Sequence, residues 1–323
     1  MGDRLTVLFG HPAYQLGDVF RARCPDHVCL EVRTLPEVEA RIAEADVLVV
    51  SRFWRDAWLD RVERLRFIQA ISAGTEVFDR ARLREKGIRL ASAQGGNAGA
   101  VAEHALAMIL SLTRHLHTAR DLQTSRRWRG LIADPQRREM ELAGKTMVIV
   151  GLGGIGSRIA GRAAAFGMRV VGIRRNAAGN AAAAAPPFEA VLPPNRLAQA
   201  LGRADIVVLA CPLTSETEGM IDAAALAAMK PSALLINVAR GRVVDETALI
   251  RALQDGALAG AGLDCFAQEP LPDSSPLWGF ENVVMTSHTA GESRACEGRV
   301  VDILVENLSR LASGRADLRN QIL

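Results

Sequence analysis

Apolar positions along the chain fall into short runs separated by longer stretches with helical spacing. The runs are LTVLFG (5–10), ADVLVVS (45–51), RFIQAIS (66–72), KTMVIVG (145–151), MRVVGI (168–173), ADIVVLA (204–210), ALLINVA (233–239) and ENVVMTS (281–287). Several are continuous Val, Ile and Leu rather than alternating, the pattern of strands buried on both faces. Strand and helix patterns alternate over the whole length, which predicts an α/β protein with mostly parallel sheets. Two segments break the rhythm. Residues 95–120, GGNAGAVAEHALAMILSLTRHLHTAR, read as one long helix entered through Gly-Gly-Asn, able to carry the chain from one domain to the next. Residues 176–195 contain NAAGNAAAAAPP and then PPN, a low-complexity loop interrupting a βαβ region. No internal repeat is visible.

The length, 323 residues, suits two domains. With 49% hydrophobic and 23% charged residues, the chain is far from disordered composition. The net charge is +3, and the 36 acidic residues are interspersed with the basic ones, so no block reads as a nucleic-acid footprint. No run approaches the ~20 apolar residues of a membrane span. The N-terminus, MGDRLTVLFG, formally matches a myristoylation pattern through Gly2 and Thr6, but Leu5, Val7 and Phe9 read as a first strand. Cys24, Cys29, Cys211, Cys265 and Cys296 are scattered with no CxxC, against both a disulfide framework and a zinc site. A reduced, cytoplasmic protein without a metal is expected. His104, His115 and His117 fall on the long helix and read as ordinary helix side chains.

The most specific local signal is VIVGLGGIGSRIAGRAAAFGMRVVGIRR (148–175). Gly151, Gly153 and Gly156 make GxGxxG between a strand and a helix, with a second strand following. The glycines allow a tight turn, close approach to a pyrophosphate and close helix–strand packing, and the helix N-terminus offers amides to the phosphates. An NAD site usually ends the second strand in a carboxylate for the ribose hydroxyl. Here Arg174 and Arg175 stand there, and guanidinium pairs with a 2′-phosphate, so NADP(H) is preferred and NAD(H) remains possible.

Three later segments complete a pattern: INVARGRVVDETAL (236–249), AGLDCFAQEPLPDSSPLW (261–278) and MTSHTAG (285–291). With the glycine turn, ACPLTSETEGMID (210–222), SAGTEVFD (72–79) and AVAEHAL (100–106), they resemble the D-isomer-specific 2-hydroxyacid dehydrogenase family, in matching order over most of residues 66–314. The Arg174–Arg175 pair departs from the NAD-type members and matches NADP-preferring ones, which resemble glyoxylate/hydroxypyruvate reductases. The resemblance implies two doubly wound parallel-sheet domains. One, 98–289, would be a Rossmann fold. The other, 1–97 plus 290–323, would be flavodoxin-like, discontinuous and substrate-binding. It implies Arg240 as the clamp for the substrate carboxylate, His288 as general acid and base, and Glu269 as its orienting partner, roles that suit a 2-keto acid reductase. It also implies Ala73 and Gly74 amides for the carboxylate, Gly154 and Ile155 amides for the pyrophosphate, and Cys211, Pro212 and Thr217 on the adenine side. Val238 and Ala239 would line the nicotinamide and Asp264 would bond its carboxamide.

Two departures stand out. Ser287 replaces the usual Pro before the histidine, which loosens the backbone there, and Cys265 replaces the usual Val. Phe53 and Trp54, after a strand end, are candidates to bound the substrate side chain. Residues 114–142, with Trp128, resemble the family's dimerisation arm and imply a homodimer. The competing readings are a dinucleotide-sensing corepressor of the same fold and a 3-phosphoglycerate-type dehydrogenase.

Overall fold

A computed structural model of the chain describes residues 4–176 and 186–323. The chain divides into two compact units, Met1–Asn97 with Glu292–Leu323, and Ala98–Gly291. The first unit is built on five parallel strands: β1 (Thr6–Gly10), β2 (Val28–Val32), β3 (Val47–Val50), β4 (Phe67–Ala70) and β5 (Arg89–Ala91), in the order β2-β1-β3-β4-β5. This is the flavodoxin-like doubly wound order. The central strands are buried on both faces, as their continuous apolar runs require. One face packs Leu8, Leu48 and Ile68 under α2 (Leu35–Arg41) and α3 (Arg80–Glu85). The other packs Val7, Phe9 and Phe67 with Phe20 of α1 (Leu16–Arg23) and with Val300 and Leu304 of the C-terminal helix Cys296–Ala312. The capping box Thr34–Glu37 fixes where α2 begins.

The second unit opens with α4 (Ala98–Thr113) and α5 (Leu116–Thr124). Seven parallel strands follow: β6 (Thr146–Val150), β7 (Arg169–Ile173), β8 (Phe188–Leu192), β9 (Ile206–Leu209), β10 (Leu234–Asn237), β11 (Gly260–Leu263) and β12 (Val283–Met285). Their order is β12-β11-β10-β9-β6-β7-β8, the Rossmann order with one strand added. Chain progression reverses between β6 and β9, which makes their carboxyl ends the switch point where doubly wound sheets bind ligands. On one face α4 and α6 (Gly154–Ala165) bury Met108, Ile109 and Ile159 against Ile149, Val208 and Ile236. On the other, α7 (Leu197–Leu201), α8 (Ala223–Ala227) and α9 (Glu246–Gln254) place Leu201, Leu226 and Leu249 over Val148, Val207 and Leu235.

Residues 95–120 are two helices rather than one. The break falls at His115, which is left-handed at φ 53° and ends the ladder of α4. The segment 176–195 is not wholly a loop, because its last part forms edge strand β8 and a short 3-10 turn, Pro194–Arg196. Residues 177–185 of that segment lie outside the described residues. Strands β2, β5, β8 and β11 add to the eight apolar runs. No described helix is long and apolar enough to cross a membrane.

Candidate active site

All seven strands of the larger sheet are parallel, so the loops that follow them share one edge. Read across the sheet, that edge carries His288 beyond β12, Asp264 after β11, and Val238, Ala239 and Arg240 after β10. Cys211 and Pro212 follow β9, Gly151 follows β6, and Arg174 and Arg175 follow β7. Positions spread over 138 places of sequence (151 to 288) thus form one row.

The glycines of the β6–α6 turn divide into two kinds. Gly151 is left-handed at φ 96°, and a Cβ on it would lie 2.7 Å from the Cys211 backbone. A Cβ on Gly156 would lie 2.0 Å from the Gly151 carbonyl oxygen. These two are required by the protein itself. A Cβ on Gly153, the residue that caps α6, would meet no protein atom within 4 Å. Its lack of a side chain leaves open space beside the first-turn amides of Gly154 and Ile155, which have no acceptor inside the helix. Such a cradle fits a pyrophosphate, with the positive end of the helix behind it. Beyond β7, Arg175 pairs with Glu216 at 3.1 Å. Arg174 is half-buried, and its guanidinium has no partner among the described residues. After β9, Thr217 donates to the Pro212 carbonyl at 2.7 Å and accepts the Thr214 amide at 2.8 Å, which shapes that loop. The Cys211 thiol is pushed up to about 11 by burial, so it acts as a small apolar wall.

The turn after β10 is stapled by buried Asn237. Its amide group donates to the Arg240 carbonyl and accepts the Ala239 N–H, both at 3.0 Å. Arg240 Nη1 also donates to the Ala239 carbonyl at 2.8 Å. His288 Nδ1 lies 2.8 Å from Glu269 Oε2, and Glu269 Oε1 accepts the Phe266 N–H at 3.0 Å. About a third of each side chain is open to solvent, 36% for His288 and 32% for Glu269. Burial raises the Cys265 thiol, Asp264 and Glu269 push it the same way, and Arg240 opposes them, so these charged groups surround one small buried side chain. The site therefore holds a guanidinium, an imidazole and its carboxylate partner near a dinucleotide cradle. That set can bind a carboxylate and move a proton.

In the smaller unit, Ser51 Oγ accepts the Ile71 and Ser72 amides at 3.0 Å and Ser72 Oγ donates to the Gly74 carbonyl at 2.7 Å. The Ala73 and Gly74 amides beyond this staple have no acceptor among the described residues. Phe53 is half-buried. Trp54 is only 3% exposed, packs against Trp58 and Phe78, and gives its indole N–H to Asp56 at 2.8 Å. Its side chain therefore backs the loop rather than surfacing on it. Trp128 and Leu131, by contrast, are fully exposed. Sequence reasoning passed over His11, whose ring stacks on Tyr14 at 4.1 Å, and His104, whose partners lie far along the chain. No group of three or more His, Cys, Asp or Glu among the described residues could hold a metal ion.

The family model of the D-isomer specific 2-hydroxyacid dehydrogenase NAD binding domain matches residues 106–290. The chain belongs to this family. A glyoxylate reductase from Pyrococcus furiosus is 34% identical over 295 residues, 88% of this chain and 85% of the relative. A D-isomer specific 2-hydroxyacid dehydrogenase family protein from Aeromonas salmonicida superposes with a TM-score of 0.86, at 31% identity and 99% coverage of both chains. The NADPH-dependent glyoxylate/hydroxypyruvate reductase of Sinorhizobium meliloti, solved with NADP and malonate, superposes with a TM-score of 0.80 at 26% identity, covering 99% of this chain and 97% of that one. As a D-isomer specific 2-hydroxyacid dehydrogenase family member, the protein is an oxidoreductase with a nucleotide-binding Rossmann unit.

Proposed function

We propose that the protein interconverts a small 2-keto acid and its D-2-hydroxy acid, with NADP(H) as the preferred cofactor and NAD(H) accepted. The observation that carries this reading is the 2.8 Å pairing of His288 with Glu269 on the sheet edge that also bears Arg240 and the glycine turn. When bound, the nicotinamide supplies the hydride in reduction and takes it up in oxidation. The Gly154 and Ile155 amides, beside the open space at Gly153, would hold the pyrophosphate, with Gly151 and Gly156 shaping the turn that presents them. Arg174 and Arg175 hold the 2′-phosphate, and Cys211, Pro212 and Thr217 bound the adenine side. Val238 and Ala239 line the nicotinamide, with Asp264 beside its carboxamide.

Arg240 grips the substrate carboxylate through a planar fork of donors and polarises the neighbouring carbonyl. The Ala73 and Gly74 amides give the carboxylate further donors. Glu269 keeps the proton on Nδ1 of His288, so Nε2 is the working nitrogen. Nε2 gives its proton to the keto oxygen in reduction and removes it from the hydroxyl in oxidation. Phe53, backed by Trp54, bounds the substrate side chain. In this reading residues 98–289 serve the nucleotide, 1–97 with 290–323 serve the substrate, and residues 114–142 join two copies in a homodimer.

The test is turnover of NADPH and of NADH, each with glyoxylate, hydroxypyruvate, pyruvate and phenylpyruvate, followed by loss of reduced-cofactor absorbance. NADPH-favouring turnover that collapses in His288→Ala supports the reading. Preference for NADH discards the 2′-phosphate assignment. Cofactor binding without turnover on any keto acid overturns the catalytic one.

A further inference from the structure

His288 sits in a left-handed conformation at φ 57°, which a residue with a Cβ adopts only when its surroundings enforce it. Ser287 precedes it, so no proline ring restrains the chain at that point. The restraint comes from side chains instead. Asp264, 3% exposed, accepts the Thr286 hydroxyl at 2.6 Å on one side of His288. On the other side it accepts the Thr289 amide at 2.9 Å and the Ala290 amide at 3.1 Å. One buried carboxylate thus pins the backbone both before and after the imidazole.

The chain of bonds goes one step further. Thr286 has a single hydroxyl proton and gives it to Asp264. Its oxygen lies 2.9 Å from His104 Nε2 and can only accept there. His104 therefore carries its proton on Nε2 and donates it. It stands on α4, which packs against β11 and β12, the strands that precede Asp264 and the His288 loop. A rigid helix thus fixes one end of the chain and the loop hangs from the other.

We propose that His104 is a positioning residue: it holds the His288 loop in its working conformation through Thr286 and Asp264. This rests on the assignment of His288 as the acid and base. His104 touches neither substrate nor cofactor in this role. Its work is to give up one N–H, in line with the orienting partners found behind other functional imidazoles.

The experiment compares His104→Leu, His104→Gln and Thr286→Val with the natural protein, and includes His288→Asn. Glutamine places an amide N–H where the imidazole Nε2–H was, whereas leucine fills space and donates nothing. The expected result is a loss of kcat of about tenfold or more in His104→Leu, with KM for keto acid and cofactor unchanged. His104→Gln should recover most of it. Thr286→Val should match His104→Leu, and the double variant should be no worse than Thr286→Val alone, because the two act on one chain of bonds. Equal activity of His104→Leu and the natural protein overturns the proposal, as does loss confined to cofactor affinity. Failure of His104→Gln to exceed His104→Leu also overturns it. If His104→Leu does not fold, Thr286→Val and His104→Gln still decide the matter. Unchanged turnover in His288→Asn would instead bring down the assignment of the acid and base.

Discussion

Nδ1 of His288 lies 2.8 Å from Oε2 of Glu269 and 3.0 Å from Oε1, so the imidazole faces both carboxylate oxygens. The carboxylate accepts the Nδ1–H and so fixes the ring's orientation and tautomer for proton transfer at Nε2. Glu269→Gln keeps the shape and removes the charge. The expected outcome is a drop in kcat for reduction of about 10- to 100-fold, the usual cost of losing an orienting partner behind a functional imidazole. An unchanged kcat would show that Glu269 does not act through His288.

A second prediction concerns cofactor choice. Arg175 is already paired with Glu216, whereas Arg174 has no partner among the described residues. The exposed pair is worth little, about 0–1 kcal/mol, so a phosphate can displace Glu216. Arg174→Ala should raise KM for NADPH by about tenfold, the loss of one charge-assisted pair, and leave NADH alone. Glu216→Gln should lower KM for NADPH a few-fold, most clearly at low salt, where exposed charges are least screened. Equal effects on both cofactors would remove the 2′-phosphate from the argument.

His11 supplies a pH dependence of stability. Its Nδ1 accepts the Tyr14 amide at 2.9 Å and the Ala13 amide at 3.2 Å, bonds only the unprotonated nitrogen can make. Burial first, then Arg52 and Arg33, hold its pKa down to about 4, with Glu297 opposing them. Between that value and the ordinary 6.5 the unfolded chain binds a proton and the folded one does not. Stability therefore falls as pH drops through this window, by on the order of 1 kcal/mol after solvent screening. Denaturant melts at pH 7 and pH 4.5 should show the loss, and His11→Gln should flatten it. A slope unchanged in His11→Gln would place the effect elsewhere.

How much of this could be read from the chain depends on where each signal sits. Strands such as VLVV and IVVL are continuous aliphatic runs because both faces are buried, and that is visible locally. Strand β11, GAGL, has no such run. A Cβ on Gly260 would lie 2.6 Å from the Asn282 carbonyl oxygen and one on Gly262 3.0 Å from Met108, so neighbours impose small residues there. Strands β2 and β8 are edge strands with mixed composition, and β5 has three residues. Arg240, Asp264 and His288 were legible as motif positions beside strand ends. His104 was not, because its meaning depends on Thr286, 182 positions away.

The fully exposed Trp128 and Leu131 lead to a prediction about assembly. Two large apolar side chains three positions apart and fully open to water offer a local apolar surface that a second copy could cover. The segment is braced by Arg129–Glu139 at 2.6 Å and by Arg138 on the Ile132 and Ala133 carbonyls at 3.0 Å. In sedimentation equilibrium the natural protein should run as twice its 34.7 kDa chain mass. The double variant Trp128→Glu, Leu131→Glu should run as one chain. A natural protein that sediments as a single chain ends the dimer proposal.

The glycine turn separates what folding needs from what the cofactor needs. Gly156→Ala forces a Cβ to 2.0 Å from the Gly151 carbonyl oxygen, a backbone atom of the tight turn between β6 and α6. It should lower stability by about 1–3 kcal/mol, as overpacking does, and weaken NADPH binding as a consequence of the shifted turn. Gly153→Ala meets no protein atom and sits at φ −78°, an ordinary value for any residue. It should melt with the natural protein. Its methyl group would nonetheless occupy the space beside the Gly154 and Ile155 amides, where the pyrophosphate must approach the backbone. NADPH affinity, read by fluorescence titration, should fall by about tenfold or more, the worth of roughly one charge-assisted hydrogen bond. Both outcomes are needed together. A stable Gly153→Ala that binds NADPH as tightly as the natural protein would mean that the open space beside Gly153 is not where the phosphates lie.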